Sequence, residues 1–168
     1  GINELTYNWK DGTPTFATAF IKFTSSTASD YDNKFITLID ANSTTRNFVF
    51  DDDNTYTTGQ VILGNNIAVQ VNGMSDTAVI AAALVSAITA TTSLAISATS
   101  ANNSVTLVQD NDGVQGNTTI TIEFSGQTPA YDSGSYSSFS GGRDTFLWHD
   151  QRVNASDITT GDSAVDAD

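Results

Sequence analysis

No cysteine occurs among the 168 residues, which excludes disulfides and thiolate metal sites and fits any redox compartment. Histidine occurs once, at His149, which excludes a His-rich zinc centre. Proline occurs twice, and glutamate only at Glu4 and Glu123. Six Lys and Arg face nineteen acidic residues, for a net charge of −13 with no basic cluster to offset it. That balance repels phosphate backbones and anionic membrane surfaces, so neither nucleic acid nor membrane is an expected partner. No run approaches the roughly eighteen apolar residues of a membrane-spanning helix. The phosphate-binding patterns G-x-x-x-x-G-K-[ST] and G-x-G-x-x-G are missing, as is the G-x-S-x-G nucleophile elbow that His149 and Asp150 would need for a triad. No leader peptide is recognisable, and the chain opens on Gly1, which reads as a processed start or a piece of a longer chain.

What is abundant tells the other half. The acids are nearly all aspartate, which favours turns and helix caps. Ser and Thr make up about a quarter of the chain; Thr favours strands, and Ser and Asn favour turns. This is the profile of a β-rich extracellular or particle-surface protein. The length suits one domain, able to bury about two-thirds of its unfolded surface.

Residues 15–24 (TFATAFIKFT) alternate as a strand, with Phe16, Phe20 and Phe23 as its anchors. KFITLID and RNFVFD (residues 34–40 and 46–51) form a hairpin across ANSTT. In its first strand Phe35, Thr37 and Ile39 share one face and Ile36 and Leu38 the other, which suits a central position. Residues 61–63 and 66–71 are further strands. Ser75 and Asp76 offer an N-cap and a first-turn acid to a helix on which Val79, Ile80, Ala83, Leu84, Ala87 and Ile88 lay one apolar stripe. LAISATS, SVTLVQD and NTTITIEF follow as strands. The expected fold is α+β and β-rich: a mostly antiparallel sheet with one amphipathic, Ala-rich helix packed on it. Residues 1–30 would form an N-terminal arm and first strand, 31–128 the core module, and 129–168 a Ser/Gly/Tyr-rich loop and a docking segment.

Three features compete as sites. The loop DNDGVQGN (residues 110–117) is either a calcium loop using Asp110 and Asp112 or a turn with Gly113 and Gly116 at positive φ; its spacing is not that of an EF-hand. Asp51, Asp52 and Asp53 form a denser carboxylate run, which is either a calcium site or a solvated loop. The aromatics Tyr7, Trp9, Tyr131, Tyr136, Phe139, Phe146 and Trp148 lie in two segments outside the periodic core. Tyr, Ser and Gly together suit an adaptable contact surface, or else a lid over the domain's own sheet.

The runs ITLIDANSTTRNFVFDDD, TAVIAAALVSAITA and LAISATSANNSVTLVQDNDGVQGNTTITIEFSG, with FSGG at residues 139–142, resemble a module of structural proteins of tailed phages, notably marine ones. There a hairpin, an Ala-rich helix and a strand–turn–strand closing on a D-x-x-G-x-x-G-N-T loop occur in series. The resemblance covers residues 35–142, about two-thirds of the chain. It implies a non-enzymatic virion component of capsid or tail (decoration, fibre or tail part), with other copies and other virion proteins as partners, no cofactor, and the Gly-Asn-Thr of the loop as fixed turn geometry. The alternatives are a secreted bacterial adhesin module, with calcium at the Asp51 run, or an extracellular filament subunit. An enzyme, most plausibly glycan-cleaving, is the third reading, with no nominated pair of residues.

Overall fold

The structure, a computed structural model, describes residues 13–123 and 136–144, and every structural statement below concerns those residues. Its elements are β1 (Phe16–Lys22), β2 (Phe35–Ile39), β3 (Thr45–Asp51), β4 (Val61–Leu63), β5 (Asn66–Gln70), α1 (Thr77–Ala90), β6 (Ile96–Ala101), β7 (Ser104–Asp112), β8 (Thr121–Glu123) and β9 (Tyr136–Ser140). The strands divide between two sheets, where the sequence suggested one. β6-β7-β1-β9 form a four-stranded antiparallel sheet, and β4-β5-β3-β2-β8 a five-stranded one whose β3–β5 pair is parallel. All described residues belong to one packing unit, Gly12–Thr145; the boundary expected at residue 128 lies outside the described residues.

Alternation decides β1, but of its three expected anchors only Phe23 is buried. Ala17, Ala19 and Ile21 face the core and Phe23 follows them there, whereas Phe16 and Phe20 are 49% and 41% exposed. The reason is space. Cβ atoms built on Gly116 and Gly142 would lie 3.2 Å from the Cβ of Ala17, so the inner face of β1 has room only for alanine there. Large rings at alternate positions must then point outward.

The β2–β3 hairpin forms as expected, with Phe35 opposite Val49 and Ile39 opposite Thr45. β2 is central, between β3 and β8, and buries Ile36 and Leu38 fully. β6 and β7 form a second hairpin, whose turn is set by Asn102 at φ 53°, a left-handed position that asparagine tolerates. Tyr136–Ser140, which the sequence suggested was loop, is strand β9. It pairs with β1 because Phe139, buried among the core residues, gives the otherwise polar segment one apolar anchor.

Helix α1 is capped by Asp76, whose side chain accepts from the Ala78 N–H at 2.7 Å, so Asp76 is the N-cap and not a first-turn acid. Ile80, Ala81, Ala83, Leu84, Ala87 and Ile88 are buried, while Val79 is 47% exposed. The helix touches β6 and β7 of one sheet and β5 and β3 of the other. Alanine on two sides of the helix is what permits that double contact, since its small side chain allows close approach. Phe23, Tyr31 and Phe50 meet in a cluster with ring centroids 5.5–5.9 Å apart. Burial there pushes the Tyr31 phenol up to about 12, the marker of a dry site.

Candidate functional site

The acidic run lies at the end of β3. Asp51 is the buried member: one carboxylate oxygen accepts from the Asp53 N–H at 3.1 Å, and the other from the Tyr56 N–H at 2.8 Å and the Gln70 side-chain amide at 3.1 Å. Asp32, from the connector between β1 and β2, joins Asp51 and Asp53, with one carboxylate oxygen of each lying within 4.8 Å of the others. Asp52 is not part of that set; its backbone N–H donates to Asp32 at 3.0 Å. Sequence reasoning missed Asp32, because only the fold carries the 24–34 connector to the end of β3.

Such a trio can hold a hard divalent cation only if carboxylate lone pairs are free, and calcium takes about six to eight oxygens. Here Asp51 spends three of its roughly four acceptor sites on N–H donors, and Asp32 spends two, on Asp52 and on the Asn33 amide at 2.6 Å, so the trio offers few free oxygens against that number. The arrangement locks the β3–β4 loop by hydrogen bonds from carboxylates to backbone. The melting temperature is therefore expected to be the same in millimolar calcium and in chelator; a rise of several degrees with calcium would identify a cation site instead.

The DNDGVQGN loop is a mechanical joint. β7 continues through Asp112, and Gly113 then takes φ 104°, as expected. Gly116 does not take positive φ. Its constraint is space: a Cβ would lie 3.1 Å from Gln109 Cγ, tighter than ordinary contact, so any larger residue requires Gln109 to give way. The Asn117 side-chain amide donates to the Gly142 carbonyl at 3.1 Å and accepts from the Gly142 N–H at 2.9 Å, a two-point clasp on the FSGG segment. A Cβ on Gly142 would sit 2.2 Å from the Gly113 carbonyl oxygen, so the clasp closes glycine against glycine. Asp110 accepts from the Ser97 hydroxyl at 2.6 Å, and Asp112 belongs to no acidic trio among the described residues.

Two polar residues that sequence reasoning passed over tie the sheets together. Gln109 on β7 is fully buried. Its carbonyl accepts from the Ala41 N–H at 2.9 Å, and its amide donates to the Ile39 carbonyl at 3.0 Å and the Thr118 hydroxyl at 3.2 Å. Asp40, also buried, accepts from the Asn42 and Thr44 N–H groups of its own turn and from the Ala95 N–H ahead of β6. The signal for Gln109 was present: it shares the inward phase of Val105 and Leu107, where a polar residue needs a partner.

A cleft of about 380 Å³ opens between the C-terminal end of α1 and β6, lined by residues such as Ile88, Thr89, Thr91, Leu94, Ile96 and Asp110. It offers hydroxyls, apolar groups and one ionisable side chain. It assembles no acid–base pair.

Of the expected contact residues, Phe139 is only 3% exposed and part of the core, so it is not available to a neighbour. Tyr136 is half-buried against the same core. Tyr7, Trp9, Tyr131, Phe146 and Trp148 lie outside the described residues, as does His149; Glu123 falls in β8. The exposed large apolar residues are instead Phe16, Phe20, Val61, Leu63, Val79 and Val114. One signal could have found part of this set: between Asp53 and Asp110 the sequence carries a single charge, Asp76. Among the described residues no helix is long and apolar enough to cross a membrane.

No family model, curated protein or solved structure matches the chain.

Proposed function

We propose that the chain is a non-enzymatic structural protein that acts by assembly, as a multi-copy surface component of the capsid or tail of a tailed-phage particle. The observation that carries this reading is the segregation of charge. A chain of net charge −13 leaves one long stretch, Asn54 to Gln109, with Asp76 as its only charge, and that stretch exposes Val61, Leu63 and Val79. Exposed apolar groups in a stretch nearly free of charge, on an otherwise acidic chain, suit contact with other protein, while the acidic remainder keeps unrelated contacts away. The buried polar groups support a rigid building block: Asp40, Asp51 and Gln109 spend their hydrogen bonds on backbone and on neighbouring side chains. Partners are other copies of the chain and other particle proteins.

The second reading is an extracellular adhesin module or filament subunit; the adhesin would be marked by calcium at the Asp32–Asp51–Asp53 trio. Sedimentation velocity in calcium and in chelator separates the two. Association indifferent to calcium supports the assembly protein, and a monomer that compacts only with calcium supports the adhesin.

A further inference from the structure

We infer that the margin of the five-stranded sheet formed by β4, together with the adjoining end of α1, is the face through which a second copy of this chain docks; this rests on the assembly reading. β4 is an edge strand paired only with β5. Its three residues, Val61-Ile62-Leu63, contain no charge and no proline; the strand's shortness and its irregular pairing with β5 limit strand addition, so the contact is one of side chains, not of an extended sheet. Leu63 is 77% exposed and Val61 59%, the two highest values among the exposed large apolar residues. The segment before β4 lies against the helix end, where a Cβ on Gly59 would meet Ala90 Cβ at 2.5 Å. The margin is therefore continuous from β4 to the last turn of α1.

Electrostatics selects the occupant. Two bodies of charge −13 approach with least repulsion where neither carries acid. Asp76 lies at the far end of the fourteen-residue helix, about 20 Å from Ala90 by helix rise, and the acids that precede β4, Asp51 to Asp53, stand at the end of β3, where Asp51 is bound to Tyr56 and Gln70. The guanidinium that reaches this margin is positive: Arg46 donates to Asn65 in the β4–β5 turn at 3.0 Å and to Ser93 beyond the helix at 3.0 Å. An uncharged apolar edge with one cation at its rim is therefore where two such acidic copies meet with least mutual repulsion. The competing face, around Phe16 and Phe20 on β1, is less suited, because Phe16 pairs opposite Asp112 and Asp110 stands on the neighbouring strand. Val114 likewise sits beside Asp144.

The test is sedimentation velocity of the full chain over a concentration series, comparing wild type with Leu63→Lys, Leu63→Ser and Val61→Lys, and with Phe20→Lys and Val114→Lys as controls. All four positions are exposed, and a thermal melt of each variant confirms the fold. The wild type is expected to associate, and more strongly as salt rises, because screening relieves the net repulsion. Leu63→Lys should weaken association by about tenfold or more, Leu63→Ser and Val61→Lys less so, and the controls should leave it within about threefold. Association that survives both lysine variants on β4, or is lost in Phe20→Lys instead, overturns this face and leaves the assembly reading standing. Association that weakens with salt overturns it too, since that is the signature of an ion-pair interface. A wild type that stays monomeric at every concentration removes the assembly reading and this face with it.

Discussion

Replacing Asp40 with alanine is expected to cost about 3–5 kcal/mol of folding stability, the largest loss from any single polar change in the described fold. The carboxylate is 1% exposed and accepts from three backbone N–H groups, at 2.9 Å from Asn42, 2.8 Å from Thr44 and 2.9 Å from Ala95. The first two close the β2–β3 turn, and the third reaches the start of β6, so one side chain fixes a turn of one sheet to a strand of the other. A hydrogen bond to a charged group contributes about 1.5–3 kcal/mol, and stranding its partner costs further where water cannot enter. Asp40→Asn is expected to lose more than half as much. An amide has one accepting oxygen, and its NH₂ would face an N–H on whichever side it points. Urea unfolding checks both variants: midpoints should fall with the slope unchanged. A loss below about 1 kcal/mol for Asp40→Ala would mean that the turn holds without the carboxylate.

Phe23→Ala carries the second large effect, about 3–5 kcal/mol. Phe23 is fully buried at the end of β1, with its ring centroid 5.5 Å from that of Tyr31 and 5.9 Å from that of Phe50 on β3. It packs the four-stranded sheet against the five-stranded one, with Tyr31 from the connector between them. Tyr31 cannot shift to fill the gap without breaking its own bonds, since its hydroxyl donates to the Ser25 carbonyl at 2.8 Å and accepts from the Ser25 N–H at 3.1 Å. A cavity that cannot collapse is costlier than the lost transfer energy alone. Phe20→Ala, three residues earlier and 41% exposed, should cost less than about 1 kcal/mol. Similar losses for the two variants would mean that Phe20 is buried and that the phase of β1 is wrong.

That pair of phenylalanines also shows where the sequence was legible. Alternation announced β1, but it could not choose which face was inner, because Ala17, Ala19 and Ile21 alternate as regularly as Phe16 and Phe20. Size argued for the phenylalanines. The choice was made by Gly116 and Gly142 packing against Ala17, from residues about a hundred or more positions away. The β2–β3 hairpin and α1 were readable because their signals are local: a turn between two alternating runs, and an apolar stripe behind a cap. β9 was not, since Ser and Tyr dominate it and its pairing with β1 joins opposite ends of the described chain. The division into two sheets was hidden for the same reason, as strand pairing across long separations leaves no local pattern.

The candidate sites divide in the same way. Gly113 was readable from a turn composition that demands positive φ, whereas Gly116 is glycine because of a neighbour that only the fold supplies. Asp51 was visible as part of a carboxylate run, but its role depends on Tyr56, Gln70 and Asp32 arriving from three separate segments. The uncharged stretch from Asn54 to Gln109 lay open in the sequence throughout. It gained meaning once β4 was seen at a sheet edge with Val61 and Leu63 exposed.

Sedimentation velocity of the wild-type chain, run across a concentration series in calcium and in chelator, tests the central claim most directly. The expected result is reversible self-association that grows with concentration, strengthens with salt and ignores calcium. A monomer at every concentration, or association that appears only when calcium is present, would contradict it.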